Sequence, residues 1–224
     1  MRMQRLGIKG YQWILQQATR KQAIALVAAL LLCLWFLLPR QLHFEPTFNQ
    51  SFPPLVMRGG DPFVRALMRT ISASEANDSQ PYSIVYGGQH VHDLSHHPAL
   101  CVKIGISPNQ GKCSTAAGRY QLLDTTWIEL AQQYHPRRSR FFWESYSFEP
   151  EDQDAVVYAW LSDPRAWGID IPQLLRQGKL NLVRRRLSST WTSLGYGIES
   201  NSITGRLPKI YQKMLQEELL LAPS

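Results

Sequence analysis

The sequence predicts an α+β fold, mostly α, preceded by a single transmembrane helix. Three observations lead there: one uninterrupted apolar segment near the N-terminus, one hairpin signal about Gly87-Gly88, and a run of short amphipathic segments filling most of the chain beyond it. A single hairpin among many helices is the pattern of an α+β layer.

The apolar segment comes first. Ala23 to Leu38 reads AIALVAALLLCLWFLL, sixteen residues without a polar group, between Arg20-Lys21 and Pro39-Arg40. A spanning helix needs about 20 apolar residues, and uncharged Gln22 with snorkelling Lys21 or Arg40 extends this one. Cleavage by signal peptidase needs small residues near the end of the apolar run, and Phe36-Leu37-Leu38-Pro39-Arg40 has none. Cys33 follows bulky Leu32, which argues against lipoprotein processing and leaves it as an inert hydrophobe in the span. The expectation is an uncleaved signal anchor in the cytoplasmic membrane. Arg2, Arg5, Lys9, Arg20 and Lys21 precede it, so residues 1–22 are expected in the cytoplasm and everything after Pro39 outside.

The five basic residues of that segment face no acidic one, leaving 19 of the 24 basic residues to balance all 17 acidic ones. The net charge of +7 is therefore mainly N-terminal, and a nucleic-acid partner is not expected. The clusters Arg137-Arg138, Arg140 and Arg184-Arg185-Arg186 read as solvated faces, with binding of an anionic wall polymer as the alternative. Outside the membrane, Cys101 and Cys113 form an even pair in an oxidising compartment. A bridge closing the loop through Pro108-Asn109-Gln110-Gly111 is expected, with two buried free thiols as the alternative.

Residues 39–60, with Pro46, Pro53, Pro54, Gly59 and Gly60, read as a linker, and residues 61–221 as the folded domain. Asp61-Pro62 supplies a cap and a first-turn proline, and Phe63, Val64, Leu67, Met68 and Ile71 recur at helical spacing. Tyr82 to Asp93 reads as the hairpin. Helices are expected near 124–134, 150–162, 171–177, 181–190 and 204–220, with Pro150, Glu151, Asp152 and Asp154 marking one start and Gly178 one stop. Trp127, Trp143, Trp160, Trp167 and Trp191 read as core.

Glu75 lies four residues after Ile71 and eight after Leu67, so its carboxyl projects from the end of the apolar stripe. A carboxyl partly desolvated there has a raised pKa, as a general acid near neutral pH requires. Around it come Ser72-Ala73-Ser74-Glu75, Tyr82-Ser83-Ile84-Val85-Tyr86-Gly87-Gly88, Asp93-Leu94-Ser95-His96-His97-Pro98 and Ser114-Thr115-Ala116-Ala117-Gly118-Arg119-Tyr120-Gln121-Leu122-Leu123. Further along are Gln153-Asp154-Ala155-Val156 and Trp191-Thr192-Ser193-Leu194-Gly195-Tyr196-Gly197. This succession closely resembles the phage-lambda type of endolysin and its glycoside hydrolase relatives, over roughly residues 62–215.

The resemblance implies a lysozyme-like fold and cleavage of the β-1,4 bond between N-acetylmuramic acid and N-acetylglucosamine in peptidoglycan. It further implies a lytic transglycosylase, in which the muramyl C6 hydroxyl closes a 1,6-anhydro ring in place of attack by water. Glu75 would protonate the glycosidic oxygen and then accept the C6 hydroxyl proton. Tyr120, Gln121 and Tyr196 match positions that line the glycan cleft, and no cofactor or metal is implied. His90-Val91-His92, with Asp93, His96 and His97 nearby, has feasible spacing for zinc, but the resemblance places a polar hairpin there. Two other readings remain: a hydrolytic muramidase assisted by Asp78 or Asp93, and a non-catalytic glycan-binding scaffold. The chain departs from the family pattern at Ser83, where an aspartate is frequent, and at Ala76-Asn77.

Overall fold

The structure, a computed structural model, describes residues 52–105, 109–137, 145–197 and 202–222. The apolar segment Ala23–Leu38 and Trp143 lie outside them; among the described residues no helix is long and apolar enough to cross a membrane. Residues Ser51–Ser224 form one compact unit.

Helix α1 (Pro62–Glu75) is the centre of that unit. Asp61 caps it by accepting from the Phe63 amide, and Pro62 fills the first turn, where its missing N–H costs nothing. Of the expected apolar face, Val64, Leu67, Met68 and Ile71 are buried and Phe63 is half-buried, but Arg69, Thr70, Ser72 and Ser74 are buried too. Buried polar groups need partners. Thr70 donates to the Ala66 carbonyl at 2.7 Å. Arg69 reaches Glu218 at 3.1 Å and Glu217 at 2.7 Å, and Arg65 reaches Glu218 at 2.5 Å. Those acids lie on α7 (Leu207–Leu221), which packs along α1.

The remaining helices are α2 (Asp124–Tyr134), α3 (Pro150–Ser162), α4 (Pro164–Trp167), α5 (Ile171–Arg176) and α6 (Leu180–Leu187). Two 3-10 turns, Thr192–Leu194 and Thr204–Arg206, join α6 to α7. Expected and observed helices agree closely except at two places. The segment from 204 begins as a 3-10 turn, and α7 starts at Leu207 with Pro208 in its first turn. Helix α4 was not expected, although Asp163 caps it on the Arg165 amide and Gly168, at φ 69°, ends it. Trp127, Trp167 and Trp191 are buried as expected, and Trp160 is half-buried: Trp127 meets Phe148 edge-on at 4.8 Å, while Trp160 lies 4.6 Å from Trp167 and 5.3 Å from Trp191.

Two expectations need correction. The first concerns the linker, which ends before residue 60. Phe52 and Leu55 are buried, and the backbone of residues 52–59 is gripped by side chains of the domain. Arg69 donates to the Phe52 carbonyl at 3.0 Å and Arg65 to those of Met57 and Gly59 at 2.9 and 3.0 Å. The prolines that suggest a tether instead hold an extended strap with carbonyls free for these bonds.

The second concerns the hairpin. Around Gly87-Gly88 the chain does turn back, with a lone Ile84–His90 bridge, but the ladder is elsewhere. Strands β1 (Val102–Lys103) and β2 (Cys113–Ser114) pair antiparallel, Val102 opposite Ser114 and Lys103 opposite Cys113. The Cys101–Cys113 disulfide closes this pair, with 5.2 Å between the Cα atoms. Strands of two residues bury little and carry no readable alternation; the covalent bond holds them together. Reducing the bond should cost about 3 kcal/mol, the chain-entropy value for a loop of this size. Thermal melts with and without reductant, and of Cys101→Ser, measure it.

Candidate active site

The site is built around a loop, a strap and the start of a helix. Residues Ala116–Leu122 form a tight turn in which Ala117 pairs with both Val85 and Leu122. Gly118 adopts φ 73°, and a Cβ there would collide with Gln153 Oε1 and lie 2.7 Å from the Phe148 ring. No other residue fits. Its amide donates to the Ile84 carbonyl at 2.8 Å, so this turn carries the Tyr82–Gly88 segment on its back.

Gln153 and Asp154, on α3, tie these pieces together. Gln153 accepts from the Arg119 amide at 2.9 Å and donates to the Tyr82 and Phe148 carbonyls at 2.9 and 2.8 Å. Asp154, fully buried, accepts from the Tyr120 hydroxyl at 2.6 Å and the Tyr82 hydroxyl at 2.8 Å. It also accepts from the strap amides of Val56 and Met57 at 2.9 and 3.2 Å. Burial pushes this carboxyl above the usual carboxylate range, against the pull of its donors and of Arg119. The same burial, beside Asp154, raises the Tyr82 and Tyr120 hydroxyls, which stay protonated and donate.

Arg119 completes the cluster. It donates to the Pro53 and Pro54 carbonyls at 2.5 and 2.9 Å and to the Tyr82 hydroxyl at 2.9 Å, and lies 4.9 Å above the Tyr82 ring. These contacts correct the expectation for Tyr120. It is 1 % exposed with its hydroxyl spent on Asp154, so it braces the site from behind and offers no face to a glycan. Gln121 is half-buried at φ 46°, and its amide nitrogen donates to the Ile84 and Gly118 carbonyls at 3.2 and 3.0 Å. Tyr196 is exposed, with the Arg184 and Arg185 guanidinium carbons 5.5 and 5.0 Å from its ring.

Glu75 is the last residue of α1 and is half-buried. Its Oε1 accepts from the Ser193 hydroxyl, in the Thr192–Leu194 turn, and Ser193 Oγ lies 2.6 Å from Ser74 Oγ. Two motifs 118 residues apart thus meet at this carboxyl. Ser193, Gln153, Asp154 and Arg119 are visible in the sequence as members of motifs, but their roles are not. The signal they share is position: small or polar residues inside the most specific segments.

The remaining candidate acids and histidines have partners of their own. Asp78 accepts from the Gln80 amide at 2.6 Å and faces His90 at 3.6 Å, while His90 also meets Ser83 Oγ at 2.9 Å. Asp93 accepts from Ser95, whose hydrogen bonds hold its carboxyl below the usual range. His97 is buried, with Nε2 on the Leu122 carbonyl at 3.0 Å and Nδ1 accepting the Ala99 amide at 3.1 Å; burial lowers its pKa. Among the described residues no group of three His, Cys, Asp or Glu side chains could hold a metal ion.

The family model described as Endolysin matches residues 65–217. The chain belongs to the endolysin family. The endolysin of Escherichia phage lambda is 29% identical over 143 residues, covering 59% of this chain and 79% of that protein. A solved bacteriophage lambda lysozyme complexed with a chitohexasaccharide superposes with a TM-score of 0.52 at 25% identity. That match covers 70% of this chain and 97% of the other. The family match begins inside α1 and ends within α7, so the strap Phe52–Gly60 precedes it.

Because Arg119 is wholly buried and satisfies the strap carbonyls, Arg119→Ala should destabilise this endolysin by about 3–5 kcal/mol. Arg119→Lys should recover less than half of that, since an ammonium cannot reproduce the fork. Urea unfolding of the three proteins gives the comparison.

Proposed function

We propose that this endolysin is a lytic transglycosylase. Its substrate is the β-1,4 bond between N-acetylmuramic acid and N-acetylglucosamine, and Glu75 is its single catalytic acid and base. As a member of the endolysin family it is a glycosidase-type enzyme that cleaves peptidoglycan. The observation that carries the finer reading is the placement of Glu75: a half-buried carboxyl at the end of the central helix, held by a buried serine from a distant motif. A complex of the lambda lysozyme with a chitohexasaccharide supports a glycan as the substrate.

In this reading Glu75 gives its proton to the glycosidic oxygen as the bond to the muramyl C1 breaks. The muramyl C6 hydroxyl attacks C1, and its proton passes to the Glu75 carboxylate, restoring the acid. An intramolecular hydroxyl is already near the reacting carbon, which removes the need for a second carboxylate to activate water. Asp78 and Asp93 support this by spending oxygens on their own turns. Gln121 and Tyr196 are proposed to contact the glycan, Tyr196 through its exposed ring.

Digestion of purified peptidoglycan, with mass analysis of the muropeptides, tests the chemistry. Products lighter by one water than hydrolytic ends are expected. Glu75→Gln should lower the rate about 10³-fold or more with the melting temperature retained. Reducing ends would make the protein a hydrolase, and an active Glu75→Gln would remove Glu75 from the mechanism.

We further propose that residues 23–38 anchor the protein in the cytoplasmic membrane with the N-terminus inside and the enzyme outside; the Leu-rich run and the basic residues before it support this. The paired change Leu30→Arg and Leu31→Arg should move the protein from the alkali-resistant membrane fraction to the soluble one. Unchanged fractionation would contradict the anchor.

A further inference from the structure

We infer that Ser193, backed by Ser74, is a positioning residue that holds the Glu75 carboxyl for proton delivery and stabilises its charge as the proton leaves. The inference rests on the reading of Glu75 as the catalytic acid.

Hydrogen counting sets the direction of the chain. A serine hydroxyl has one proton and can accept as well. The Ser193 proton goes to Glu75 Oε1, so across the 2.6 Å contact Ser74 must be the donor and Ser193 the acceptor. Ser74 to Ser193 to Glu75 is then a directed relay of polarisation, in which each bond strengthens the next. Both serines are buried, 9 % and 7 % exposed, so water does not dilute the effect.

The turn that presents Ser193 is braced beyond what a loop cap requires. The Ser193 carbonyl accepts from Thr204 Oγ1 at 3.1 Å. The next carbonyl, of Leu194, accepts from Arg184 Nε and Nη2 at 3.1 and 2.7 Å. Arg184 is buried, and it is admitted because residue 195 is glycine: at φ 98°, a Cβ there would lie 2.7 Å from Arg184 Nη2. Upstream, the Trp191 indole donates to the Tyr120 carbonyl at 2.9 Å, linking the turn to the Asp154 cluster.

The consequence is differential. While Glu75 is protonated, the Ser193 bond joins neutral groups. When Glu75 protonates the glycosidic oxygen, the same bond becomes charge-assisted and roughly twice as strong. An interaction stronger in the transition state than in the ground state appears in kcat, not in KM. The Ser193 proton itself is never transferred.

The test compares Ser193→Thr with Ser193→Val, side chains of equal shape that differ in the hydroxyl, on soluble uncrosslinked peptidoglycan strands. Ser74→Ala and Glu75→Gln are run beside them. Ser193→Val should lose roughly 30- to 100-fold in kcat with KM within about twofold of wild type, and Ser193→Thr should stay within about fivefold. Ser74→Ala should lose a smaller factor, about 3- to 10-fold, also in kcat. Equal activity of the Thr and Val variants, or a loss confined to KM, would overturn the positioning role and leave Glu75 in place. Wild-type activity in Glu75→Gln overturns the reading beneath it, a separate and distinguishable failure.

Discussion

Four donors converge on one buried carboxylate, Asp154, and the arrangement of the active-site half of the molecule depends on them. They come from the strap, through the Val56 and Met57 amides, from the Tyr82 segment and from the Gly118 turn through Tyr120. Burying a carboxylate is costly, and burial does push this one toward its neutral form. Arg119 brings the compensating charge and, by the same guanidinium, captures the carbonyls of Pro53 and Pro54. A loop, a turn and an extended strap are thereby given one relative placement.

That placement reaches Glu75 by two routes. Through the strap it reaches α1, because Arg69 holds the Phe52 carbonyl and also Glu217 and Glu218 on α7. Through Tyr120 it reaches the Thr192–Leu194 turn, because the Trp191 indole is bonded to the Tyr120 carbonyl. The end of α1 and the turn bearing Ser193 then meet at a hydrogen bond whose geometry neither element could set alone. Buried ion pairs between α1 and α7 give little net stability, but they resist sliding of one helix along the other. In the proposed mechanism, that resistance keeps the Glu75 carboxyl aimed at one atom of a substrate.

The helices were legible because their signals are local. Asp61-Pro62, Pro150 with its acidic first turn, and Gly178 read directly as starts and stops, and the observed helices match them. The β1–β2 ladder was not legible, since two residues per strand leave no alternation to detect and its pairing rests on the disulfide. Nor was the strap: its prolines suit a free tether and a docked extended segment equally well. What separates the two is a set of bonds to Arg65, Arg69, Arg119 and Asp154, up to 98 residues away. Tyr120 shows the same limit within the site. Its motif marked it as important, but a tyrosine facing a sugar and one buried on an aspartate look identical in a sequence.

By itself, then, the sequence determined the longer helices, the pair of cysteines available to bridge, the family through its ordered motifs, and Glu75 as the carboxyl at the end of an apolar stripe. Those features depend on residue identity and short-range spacing. The tertiary structure decided which motif residues brace and which present themselves: Tyr120 and Arg119 inward, Tyr196 outward, Ser193 onto Glu75. It also decided that residues 52–60 pack on the domain as a strap. Orientation and partnership belong to pairs of residues far apart in the chain, and a pair becomes visible when folding brings its members within hydrogen-bond reach.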